Sequence, residues 1–240
     1  MPSPSGGPID RATLEDLAAA SRILVDQGVF DAAGHVSMRH PGHAERFLMS
    51  RSLAPEMVTA DDIMEFDLNA DACDPRGRNG FIERYLHGEI YRKRRDVMAV
   101  AHSHSPSVIA FGLSGTPMRA MYHNAAFLAA GVPVFDIRET FGVTDIVIST
   151  KEKGAALAEV LADKPVALLR AHGMVAVAES LPVAVFRAIF TVTSANIQHR
   201  ARALGGEVAA LDAEEGRLAD VVNVQTVGRS WDLWKRRVMK

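Results

Sequence analysis

Val166-Ala167-Leu168-Leu169-Arg170-Ala171-His172-Gly173-Met174-Val175-Ala176-Val177-Ala178 is the stretch whose reading decides the fold. Its two apolar runs, Val166–Arg170 and Met174–Ala178, each have the length of a buried strand. Only Ala171, His172 and Gly173 separate them, and glycine supplies turn geometry that residues with a Cβ resist. The spacing predicts a hairpin-like connection. A hairpin among strands that alternate with helices favours a mixed or antiparallel sheet flanked by helices over a doubly wound parallel one.

Working outward, Leu181–Leu204 reads as a long helix stopped by Gly205-Gly206, and Trp231 and Trp234 fall in a short final helix. Upstream, Lys151–Ala162 is a helix ended before Pro165, and Val132–Ile137 and Asp145–Ser149 are strand candidates. Val97–His102 is a buried strand. Ile82–Arg94 is helical, with a basic last turn that suits the helix dipole. Asn69–Gly80, rich in Asp, Gly and Asn, is a loop. Strand-like runs cover Val36–Arg39, Arg46–Ser50 and Ile63–Leu68. Asp10 can cap a first helix that Gly28 ends. Residues 1–9 read as a flexible lead-in, and residues 10–240 as one domain with a C-terminal tail.

Of the 240 residues, 48% are hydrophobic and 23% charged, ordinary values for a globular chain. The formal net charge of -2 offers no field for nucleic acid or a membrane surface. A single cysteine, Cys73, excludes an intramolecular disulfide. The longest apolar runs are too short to span a bilayer, and Met1–Pro8 carries no signal-peptide pattern. The expectation is a cytoplasmic protein acting on a small molecule.

His102-Ser103-His104 carries the first chemistry. Residues two apart on a strand share a face, so both imidazoles can reach one metal ion. Alone, such a pair reads as two surface histidines after a core strand. His172, in the hairpin turn, is a third candidate ligand, or merely a polar turn residue. Glu83, near the start of the Ile82–Arg94 helix, can complete a His₃Glu set, act as general acid or base, or simply favour the helix dipole. His87, one turn later, reads as a packing histidine or as one that supports a site residue from behind.

Glu83, then His102-x-His104, then His172-Gly173, in that order, resembles the class II aldolase/adducin family over roughly residues 10–205. The resemblance implies an αβα sandwich with a central, mostly antiparallel sheet. It implies a homotetramer with active sites between neighbouring subunits. It also implies that His102, His104 and His172 hold one divalent ion, with the residue matching Glu83 as acid/base. Three imidazoles accept Zn, Mn, Fe or Co. Such an ion can take up an electron pair, so no organic cofactor is needed.

Sugar-phosphate aldolases of this family carry a Gly-Asn-x-Ser motif and small hydroxyl-rich loops for phosphate. Here the runs are Gly34-His35-Val36-Ser37 and Met49-Ser50-Arg51-Ser52-Leu53. With Tyr122-His123 and His104-Ser105-Pro106, they are similar to the decarboxylase branch, whose members act on 3,4-dihydroxyphthalate, on 3-hydroxy-2-methylpyridine-4,5-dicarboxylate and on carboxylated ring-cleavage semialdehydes. An arginine suits a planar carboxylate, which it grips bidentately. Arg51, Ser50, Tyr122, His123 and Arg138 are therefore the candidate substrate contacts, although either arginine reads equally as a surface ion-pair residue. Glu83 or His35 is the expected proton donor. The implied function is metal-dependent decarboxylation of a hydroxylated aromatic or heteroaromatic dicarboxylate. Aldolase or epimerase action on a small sugar, or a non-catalytic adducin-like scaffold, are the alternatives.

Overall fold

The expected hairpin is present: Val166–Leu169 and Gly173–Ala178 pair antiparallel, with Leu169 opposite Gly173. The computed structural model describes residues 4–239. Its strands are β1 (His35–His40), β2 (His43–Ser50), β3 (Ile63–Asp67), β4 (Ala99–Ser103), β5 (Val134–Phe135), β6 (Val166–Leu169) and β7 (Gly173–Ala178). They form one seven-stranded sheet in the order β3-β2-β1-β4-β7-β6-β5. Every pairing is antiparallel except that of β5 with β6. The helices are α1 (Arg11–Asp26), α2 (Arg84–Lys93), α3 (Pro106–Ser114), α4 (Arg138–Phe141), α5 (Lys151–Leu161), α6 (Leu181–Ala203) and α7 (Ala213–Val238).

Alternation along the central strands sorts the core into two layers. Ala99, Ala101, Met174 and Ala176 face one side, with Leu17 and Ile23 of α1, Phe111 of α3 and Val185 of α6. Val100, Val175 and Val177 face the other, with Leu86, Ile90 and Tyr91 of α2 and Leu157 and Leu161 of α5. Side chains on a strand alternate between faces, so a strand apolar on both must be covered on both. The result is an αβα sandwich around a mostly antiparallel sheet.

Local sequence fixes where the helices start. The Asp10 carboxylate accepts from Thr13 N at 2.7 Å, Thr150 caps α5, and Asp212 with Glu215 forms a capping box on α7. The far end of α2 is clamped by Arg39, only 3% exposed. Its guanidinium donates to the carbonyls of Tyr91, Arg94, Val97 and Ala44. The last carbonyls of a helix lack intrahelical partners, so this buried arginine ties α2 to β1.

Three expectations need correction. Asp145–Ser149 is not a strand: Ile146 has φ 57°, a left-handed conformation that no ladder accommodates. Val132–Ile137 contributes only the two residues of β5. The final helix is 26 residues long rather than short. Both of its tryptophans are buried against their own chain, Trp234 beside Phe190 at 6.3 Å. Of the lead-in, residues 1–3 lie outside the described residues; further along, Ser5 Oγ and Gly6 N donate to Glu65 and Arg46 donates to Pro4 O. Among the described residues, no helix is long and apolar enough to cross a membrane.

Candidate active site

β4 ends in the two histidines, and its neighbours place the other donors around them. His102, on the strand, is fully buried. His104 follows just past the strand end, one pleat period on. The β6–β7 turn brings in His172, whose ring stacks on that of His104 with centroids 4.9 Å apart. This approach depends on Gly173: a Cβ there would lie 1.9 Å from Ser103 O. Glu83 immediately precedes α2 and points its carboxylate into the same space.

The four donors converge. His102 Nε2 is 3.0 Å from His104 Nε2, which is 3.1 Å from His172 Nε2. Glu83 Oε2 lies 3.3, 3.9 and 3.4 Å from the three Nε2 atoms in turn. One ligand atom from each residue falls within 4.8 Å of all the others. Behind the rings, His102 Nδ1 is 3.0 Å from Met174 O and His172 Nδ1 is 2.9 Å from Ile146 O. A carbonyl only accepts, so both Nδ1 atoms carry hydrogen and both Nε2 atoms keep lone pairs. Two such lone pairs and a carboxylate oxygen facing one another call for a cation between them. The donor set, neutral imidazoles with one carboxylate, fits a divalent ion.

Glu83 is held from its other oxygen by Ile148 N at 2.9 Å. Burial alone would raise its pKa. The closeness of the three imidazoles, His102 foremost, outweighs that and holds it well below the usual carboxylate range. The Asp145–Ser149 stretch thus spends its backbone groups on the site instead of a ladder. Lys153, one turn into α5, secures it, with Nζ donating to Asp145 Oδ1 at 3.0 Å, Val147 O at 2.9 Å and Ser149 Oγ at 3.3 Å.

His35, Glu83 and His104 stand in the wall of an open cavity of about 760 Å³. Leu53, Phe81, Ile82 and Val147 supply its apolar walls, and Ser52 and Asn79 its polar ones. Burial pushes the pKa of His35 well below that of a free imidazole, with His87 and His102 adding to the effect. The remaining sequence candidates are not drawn into this cavity. Ser50 is buried at the end of β2, opposite Ile63. Arg51 Nε is paired with Asp62 Oδ1 at 2.7 Å. Arg138 is paired with Asp136. Tyr122 packs on Phe190, and Asn223 donates to His123 O.

Sequence reasoning missed one group here: Lys153 was read only as part of a helix, and nothing in its spacing marks it. His87, read as packing or as support behind a site residue, has its Nε2 2.8 Å from His35 Nδ1. Its position one helical turn after Glu83 was the available signal.

Residues 15–199 match the family model of the class II aldolase and adducin N-terminal domain. The chain belongs to the class II aldolase and adducin family. Within that family it is similar to decarboxylase tropJ of Talaromyces stipitatus, with 36% identity over 239 residues covering 90% of each chain. It is also similar to a 3,4-dihydroxyphthalate decarboxylase of Arthrobacter keyseri, with 30% identity over 234 residues and 90% of each chain covered. Among solved structures, an L-fuculose 1-phosphate aldolase from Glaciozyma antarctica PI12 superposes with a TM-score of 0.78. That likeness covers 97% of this chain and 94% of the other at 21% identity, and is one of fold.

Proposed function

We propose that the chain is a metal-dependent carbon–carbon lyase that releases CO₂ from a hydroxylated aromatic or heteroaromatic dicarboxylate, or from a related carboxylated semialdehyde. The convergence of Glu83 with His102, His104 and His172 at the edge of an apolar-walled cavity carries this reading. The decarboxylase names of the similar proteins support the carboxy-lyase form over the aldehyde-lyase form.

His102, His104 and His172 would hold the ion, with Glu83 as a fourth ligand or beside it. When bound there, a divalent ion supplies a Lewis acid to an oxygen next to the departing carboxylate. In the reaction the ring–carboxylate bond breaks, its electron pair stays on the ring carbon, and a proton takes the place of CO₂. Leu53, Phe81, Ile82 and Val147 would receive the ring and keep water from it. Glu83 and His35 are the candidates in the wall for passing on that proton, each having first to take it up from water. Arg51 directly precedes the lining residue Ser52 and is the candidate for the second carboxylate, in exchange for Asp62. Ser50 would position that loop.

We also propose a homotetramer with sites between subunits. Tyr122, His123 and Arg138, which do not line their own chain's cavity, are then candidates for a neighbour's contribution.

The test is a screen of hydroxy-aromatic dicarboxylates for CO₂ release by protein of measured metal content. Release from at least one of them, lost in His172→Ala together with the metal, is the expected result. Fully metal-loaded protein that cleaves sugar phosphates and leaves every ring acid untouched would establish the aldolase instead. Protein that binds no divalent ion would point to a scaffold.

A further inference from the structure

Behind His35 runs a line of buried polar groups that the proposed reaction does not use. His35 Nδ1 lies 2.8 Å from His87 Nε2, His87 Nδ1 2.6 Å from Ser37 Oγ, and Ser37 Oγ 2.8 Å from Tyr91 OH. Ser37, His87 and Tyr91 are completely buried. The line runs from the cavity wall across the sheet face into the core between α2 and β1.

We infer that Tyr91, Ser37 and His87 act as positioning residues that fix hydrogen on Nε2 of His35, so that His35 meets the cavity as a hydrogen-bond donor. The direction follows from counting hydrogens, beginning at the inner end. Tyr91 OH has Ser37 Oγ, at 2.8 Å, as its hydrogen-bond partner. The phenolic hydrogen therefore has one acceptor, Ser37 Oγ.

Ser37, having accepted there, sends its own hydrogen to the remaining partner, His87 Nδ1. A neutral His87 with Nδ1 accepting carries its hydrogen on Nε2 and donates it to His35 Nδ1. Burial, the largest influence on it, holds His87 neutral with a pKa of about 3. His35, accepting at Nδ1, is left with its hydrogen on Nε2, the nitrogen free for the cavity. Reversing every bond would leave the Tyr91 hydrogen buried without an acceptor, which folded proteins avoid.

A histidine fixed in this way offers a hydrogen bond to a substrate oxygen and cannot serve there as a base. That use toward a ring acid rests on the proposed decarboxylase reading. The tautomer itself does not, and its measurement needs no substrate.

The experiment is ¹⁵N NMR of zinc-loaded protein labelled at histidine, with the His35 signals assigned from a His35→Gln sample. Between pH 6.5 and 8 we expect His35 to show the pattern of a protonated Nε2 and an unprotonated Nδ1. A protonated Nδ1, or a mixture of the two, would overturn the inference. Tyr91→Phe combined with Ser37→Ala removes both hydroxyl hydrogens that set the direction, and we expect His35 then to show both tautomers in comparable amounts. If that double variant folds and leaves the His35 pattern unchanged, the two hydroxyls do not set it. If that variant fails to fold, the wild-type spectrum alone decides. Loss of CO₂ release with the expected tautomer intact would count against the decarboxylase reading and not against this one.

Discussion

Glu83 and His172 approach to 3.4 Å and are braced by the same short length of backbone. Ile148 N donates to one and Ile146 O accepts from the other. Two donors from distant parts of the sequence therefore share one support. Displacing it would move both at once.

Lys153 is the anchor of that support. Lys153→Met should loosen the Asp145–Ser149 stretch and weaken divalent-ion binding by about 10–100-fold, the usual cost of losing a partner behind a ligand. Lys153→Arg should recover part of this. Competition with a chelator of known affinity gives the answer. Unchanged ion affinity in a folded Lys153→Met chain would mean that the stretch holds itself.

Gly173→Ala places a methyl group where Ser103 O stands. The turn must retreat from β4 and take His172 with it. We expect a loss of at least about 2 kcal/mol in stability, in the range of overpacked cores, together with a loss of bound metal. Urea denaturation and metal analysis on one preparation separate the two effects.

Arg51→Ala should raise KM for a dicarboxylate about 10–100-fold, the worth of a charge-assisted pair, and leave metal content alone. Arg51→Lys should restore only part of the affinity, since an ammonium lacks the planar fork. Equal KM values in all three proteins would remove Arg51 from the substrate.

The buried histidines set an acid limit. His87 titrates at about 3 in the fold, against a usual imidazole value near 6.5. Between those values the unfolded chain takes up a proton that the native chain refuses. Its contribution to stability is whole above about 6.5 and is lost as pH falls toward 3. His35, depressed chiefly by the same burial, acts in the same direction. In metal-free protein, thermal stability should fall steadily below pH 6.5, and His87→Gln should make the fall shallower. An identical slope in the variant would show that other groups carry the dependence.

Much of this was legible because periodicity is geometry. His35 and Ser37 are two apart on a strand, and Glu83, His87 and Tyr91 are four apart in and before a helix, so each set shares a face. The hairpin around His172 could be read from its two apolar runs. The Asp145–Ser149 stretch could not, because its run of β-branched residues, Ile146, Val147 and Ile148, imitates a strand. Only the left-handed turn at Ile146, imposed by tertiary contacts, redirects its amides. Arg51 was legible as a cation, but its pairing with Asp62 depends on how the loop after β2 folds back against β3. The length of α7 escaped because its apolar residues are sparse: of its 26 residues, only Gly216, Asn223, Val227, Trp231 and Trp234 are buried.

Lys235 of α7 reaches Asp16 of α1 at 2.5 Å across 219 residues of sequence. During synthesis α1 emerges from the ribosome first, with Leu17, Ile23 and Leu24 ready for burial. Part of the layer that covers them is made only after residue 213. Closing so wide a loop is entropically slow, and an uncovered apolar helix is what chaperones bind. A nascent chain arrested before Ala213 should thus remain chaperone-associated and protease-sensitive in α1, and release should coincide with the arrival of α7.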